Sequence, residues 1–154
     1  MRQILRQREL AADDWRYPGE AGGGPQALSF EQVTAAGAAL PASAGVVVGA
    51  TDDVRRLAPL LDRLALIVVH FEKNGDGRGY SQAQVLRQQL AYRGELRAAG
   101  ALKRDHLFLL ARCGFDAFDL DSAEDALAAL AQLGRFTVAY QGASGTLVQP
   151  RLRG

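Results

Sequence analysis

The sequence predicts a single α/β domain of repeated βα units around a parallel sheet, either an open sheet or half of a βα barrel. Three observations predict it. Short apolar runs alternate with segments that carry helix caps and an apolar stripe, the pattern of parallel strands joined by crossover helices. One run, from Ala65 to Phe71, is apolar almost throughout, as a strand buried on both faces is. Glycines 94, 114 and 134 recur at an even spacing, each closing a helical stretch where a left-handed residue is favoured.

Composition bounds the answer. A chain of 154 residues, 48% hydrophobic and 23% charged, can bury one core. A net charge of +1 offers nothing to nucleic acid or to acidic partners in bulk. No apolar run approaches a membrane span and no signal-peptide region precedes the first charged residues, so a cytoplasmic protein is expected. The single cysteine, Cys113, builds no disulfide framework and suits a reducing compartment.

In chain order, residues 1–28 read as a weakly structured arm with one short edge strand near Gln3 to Leu5. Ser29 and Gln32 form a capping box for a short helix that includes Phe30, Val33 and Leu40 and stops at Pro41. The regular core spans residues 44–141. Gly45 to Gly49 is a strand, and Thr51 or Asp52 caps a helix with the stripe Val54, Leu57, Leu61 and Leu64. After the strand Ala65 to Phe71 comes a loop with glycines 75, 77 and 79. Ser81 and Gln84 make a second capping box, opening a helix with Val85, Leu86 and Leu90 inward that ends at Gly94. Two further units follow: a strand at Glu95 to Ala99 with a helix from Leu102 to Cys113, then a strand at Phe115 to Leu120 with a helix from Ser122 to Leu133. Leu107, Leu110, Phe108, Leu127 and Leu130 should face inward, and Phe136 to Tyr140 is the last strand. The whole amounts to four βα units, a final strand and a polar tail at 142–154.

In parallel α/β architectures ligands bind where strands end and helices begin. Polar residues gather there. The groups are Thr51 and Asp52; His70, Glu72, Lys73, Asp76, Arg78, Tyr80 and Ser81; Lys103, Arg104 and Asp105; Asp121; and Tyr140 with Gln141. The glycine loop is the longest member of this rim. It is no phosphate loop, because no Gly-Lys-Ser/Thr follows, and no dinucleotide fingerprint, because Tyr80 follows where a third glycine belongs. A calcium loop matches at Asn74, Asp76 and Gly77 but places Ala83 where the bidentate glutamate is required. What remains is a loop of backbone donors leading to a helix N-terminus with Arg78 beside it, a seat for an oxyanion. The competing structural reading pairs Asp76 with Arg78 simply to hold the turn. Arg104 and Asp105 open the neighbouring helix, where Arg104 would join Arg78 on an anion and Asp105 would orient one of the two arginines or act as a base; otherwise they form a solvated first-turn pair. His70 reads as a hydrogen-bonded core histidine and Cys113 as packing. No metal site and no nucleophilic triad is indicated, since neither histidine has ligands at metal spacing and neither Ser81 nor Ser122 has a histidine partner.

Several segments in fixed order carry a resemblance: Asp76-Gly-Arg-Gly-Tyr-Ser81, Leu86-Arg87, Tyr92-Arg-Gly-Glu-Leu-Arg-Ala98, Arg104-Asp105, Arg112-Cys-Gly-Phe-Asp-Ala-Phe118 and Val138-Ala-Tyr-Gln141. Together they resemble a bacterial family of unknown function whose genes commonly lie beside those of sulfite reductase, often labelled probable oxidoreductases of sulfite reduction. The resemblance covers residues 44–141. The chain departs from the family at Gly100-Ala-Leu-Lys-Arg-Asp-His-Leu107, where Ala101 replaces the usual acid and Lys103 makes the rim more positive.

The resemblance implies an accessory protein of sulfur assimilation. Combined with the rim, it gives the expectation of an oxyanion or phosphorylated ligand bound by Asp76, Gly77, Arg78, Gly79, Tyr80, Ser81, Arg104 and Asp105. Two rivals stand beside it. One is an oxidoreductase using flavin, held through its phosphate at the Ser81 helix terminus, or nicotinamide; no cysteine set for an iron–sulfur cluster and no cofactor motif specifies it. The other is a non-catalytic module that docks on sulfite reductase or forms a homodimer completing a half-barrel.

Overall fold

Apolar strands and capped segments organise the chain as their alternation requires. The computed structural model describes residues 3–6, 9–73, 76–120, 127, 128, 130 and 131. Its strands are β1 (Gln3–Arg6), β2 (Glu9–Ala12), β3 (Ala27–Ser29), β4 (Ala44–Val48), β5 (Leu64–Phe71), β6 (Glu95–Gly100) and β7 (Ala117–Phe118). They form one open sheet in the order β2-β1-β7-β6-β5-β4-β3. From β3 to β7 neighbouring strands are parallel and follow chain order, while β1 pairs antiparallel with both β7 and β2.

That monotonic order decides where the helices go. Each right-handed crossover returns to the same face, so α1 (Phe30–Ala36), a 3-10 helix (Val54–Arg63), α2 (Gly77–Gln84) and α3 (Leu107–Cys113) all pack on one side. Phe30, Val33, Val54, Leu57, Leu60, Leu86, Leu107 and Leu110 meet Val46, Val48, Ile67, Val69, Leu96 and Phe118 in one core. Among the described strands joined by helices, β3 to β7, the order never reverses, so this part of the sheet has no switch-point crevice.

The opposite face is covered by the N-terminal arm. Trp15 and Tyr17 pack against a smaller cluster of Leu66, Val68 and Ala99. Where one short edge strand is expected, the arm supplies β1 and β2 on one edge of the sheet and β3 on the other, with residues 13–17 as a strap between them. Long-range pairing made this structure, and no local pattern announces it.

The capping box at Ser29 forms as expected: the Gln32 N–H donates to Ser29 Oγ and the Ser29 N–H to Gln32 Oε1. The segment after β4 differs from expectation. Asp53, not Thr51 or Asp52, caps it, and it winds as a 3-10 helix. Its buried stripe is therefore Val54, Leu57 and Leu60, every third residue, rather than a stripe through Leu61.

α2 also starts a turn earlier than expected. Asp76 is its cap, which leaves Ser81 and Gln84 inside the helix. Tertiary packing decides this, because Gly79 lies under the Phe71 ring and a side chain there would collide with it. The helix then widens into a π turn over Val85–Gln89, with Leu90 N–H donating to Val85 O. Ala91 (φ 58°), not Gly94, is the left-handed residue that ends it. Gly94 instead makes room for the Tyr92 side chain. The unit after β6 divides into a 3-10 turn (Arg104–His106) and α3, and Gly114 (φ 115°) stops α3 as expected.

Positions 127, 128, 130 and 131 are helical, and Leu130 packs on the core. Leu127, expected inward, is 54% exposed. The remainder of that helix, Gly134, the strand at Phe136 to Tyr140 and the tail lie outside the described residues, as do Asn74, Gly75, Asp121 and Gln141.

Candidate site at the C-terminal end of the sheet

The first turn of α2 begins where β5 ends. Asp76 caps it by accepting the Arg78 N–H at Oδ1 (3.0 Å). The same carboxylate takes the Arg78 side chain in a forked pair, Nε to Oδ1 at 3.1 Å and Nη2 to Oδ2 at 3.0 Å. These bonds hold the Asp76 carboxyl below the usual carboxylate range and raise the Arg78 pKa in turn. The Arg78 side chain remains 56% exposed. The competing structural reading of this turn is thus realised in its geometry, and an incoming anion would contend with Asp76.

Behind the pair, Gly79 is buried and Tyr80 sets its edge on Phe71, with ring centroids 5.7 Å apart. Partial burial pushes the Tyr80 hydroxyl pKa up. Ser81 is exposed on the body of α2, so a flavin phosphate at this helix terminus would meet Asp76 and Gly77 rather than the Ser81 hydroxyl.

The 3-10 turn Arg104–His106 follows β6, the neighbour of β5, so it emerges at the same end of the sheet. Asp105 is exposed there, and the Arg104 side chain lies outside what the structure describes. Among the described residues no hydrogen bond or ion pair joins this turn to the Asp76–Arg78 pair.

Three groups of functional side chains escape the sequence reading. Gln82 is buried on α2, where its Nε2 donates to Gly49 O (2.8 Å) and Asp52 O (3.0 Å) and ties the β4 loop to the helix. Its signal was a polar residue interrupting the sheet-facing stripe Gly79, Ala83 and Leu86. Arg87 is the second: Nε donates to Gly114 O, and Nη1 to Tyr92 O and Gly94 O, each at 2.9 Å. It binds three loop carbonyls, which is a structural use of one of the motif residues.

The third group holds the strap. Arg97 is fully buried in β6 and donates to Glu95 Oε2 (2.7 Å from Nη2), Asp13 Oδ2 (2.9 Å) and Tyr17 Oη (3.3 Å). Burial works to lower the Arg97 pKa, and the facing Tyr17, Glu95 and Asp13 reverse it, so the guanidinium stays charged. Tyr17 O–H donates to Asp119 Oδ2 at 2.8 Å, and burial pushes the phenol pKa up, keeping it protonated. An arginine inside the apolar run Leu96 to Ala99 was the only sign of this network in the sequence. His70, expected to be a bonded core residue, is exposed at the end of β5. Cys113 is half-buried with its thiol pKa raised by burial, in keeping with a packing role.

A family model described as a bacterial protein of unknown function (DUF934) matches residues 45–149. The chain belongs to this family. The match begins at β4, so the hairpin, the strap and β3 lie outside it, while their partners Arg97 and Asp119 lie within it. No curated protein and no solved structure matches the chain.

Proposed function

We propose that this family member is an accessory protein of sulfur assimilation that binds a small oxyanion or a phosphorylated ligand at the C-terminal end of its sheet. Arg78 and the N-terminus of α2 at Gly77 would hold the anion, with Tyr80 and Ser81 further along the same helix and Arg104 and Asp105 completing the rim. One observation carries the reading. An arginine whose side chain is more than half exposed is oriented at a helix N-terminus by a forked carboxylate, at the end of the sheet where parallel α/β domains keep their ligands. The sulfur context rests on the motif resemblance, and sulfite reductase is the partner it suggests.

Calorimetry with sulfite, sulfate and inorganic phosphate tests the site. Binding by the wild-type chain that is lost in both Arg78→Ala and Arg104→Ala supports it, and binding unchanged in both variants would remove it. A homodimer would have to form away from the strap-covered face, because Leu66, Val68 and Ala99 are already buried there within one chain.

A further inference from the structure

We draw no further inference here: the strongest candidate, the Gln82 side-chain oxygen buried between α2 and the loop after β4 without a hydrogen-bond partner, carries nothing because it is enclosed, leaving no surface that a ligand could reach.

Discussion

Arg97 and Asp13 stand 84 residues apart in sequence and 2.9 Å apart in space, both without exposed side-chain surface. Their ion pair fastens the arm, which lies outside the family match, to the central strands within it. Breaking such a pair on one side strands a buried charge, which typically costs about 3–5 kcal/mol. Asp13→Ala and Arg97→Ala should each lower the urea midpoint on that scale. Replacing both residues with apolar ones of similar volume should cost less than either single change, because neither buried charge is left facing an absent partner and Glu95 keeps its ion pair with Arg6. A double variant as weak as the sum of the singles would contradict the account.

Tyr17 provides a second fastening. Tyr17→Phe keeps the ring on Leu66, Val68 and Ala99 but removes the O–H from Asp119 and an acceptor from Arg97. The expected loss is about 1–3 kcal/mol, the range for a hydrogen bond to a charged group. Denaturant unfolding followed by Trp15 fluorescence reads it, since Trp15 packs on the same face.

Gly79→Ala places a methyl against the Phe71 ring. Overpacking of this kind costs about 1–3 kcal/mol. Phe71→Leu should recover part of the loss in the double variant, giving a measurable coupling in thermal unfolding. Additive losses would show that α2 is not seated on Phe71.

Two carboxylates should give opposite pH signatures. The Arg78 hydrogen bonds depress the Asp76 pKa, so its contribution is present above the ordinary carboxylate range and is lost as pH falls through the depressed value. Asp76→Asn keeps a cap acceptor and should remove that acid-side loss, measured as stability between about pH 2 and 5.

Burial raises the Asp116 pKa, against the opposing influence of Arg87. Its folded form favours the proton, so its contribution is greatest below the ordinary carboxylate range and declines as pH rises through the raised value. Asp116→Asn can still accept the Leu96 N–H and should flatten this decline. The same chemical-denaturation series distinguishes the two variants by the direction of change.

The sequence by itself determined the repeated βα order, the parallel core strands, the Ser29 capping box and the stop at Gly114. Each follows from signals within a few residues: apolar runs, paired caps and a left-handed glycine. It also pointed to the Asp76 to Ser81 turn and the Asp76–Arg78 pair, because those residues touch neighbours in the chain. Only the tertiary structure decided that α2 is capped at Asp76 rather than Ser81, since the Phe71 ring is what fits over Gly79. Only it decided that Val54 to Arg63 winds every third residue inward, that Gln82 reaches the β4 loop, that Arg87 reaches Gly114, and that Arg97 reaches Asp13 and Tyr17. The arm was illegible for the same reason. Its strands and strap are stabilised by Arg97, Asp119 and the β7 edge, about a hundred residues away along the chain. Local pattern sets the order of elements, and the groups they bring together depend on contacts that no short stretch contains.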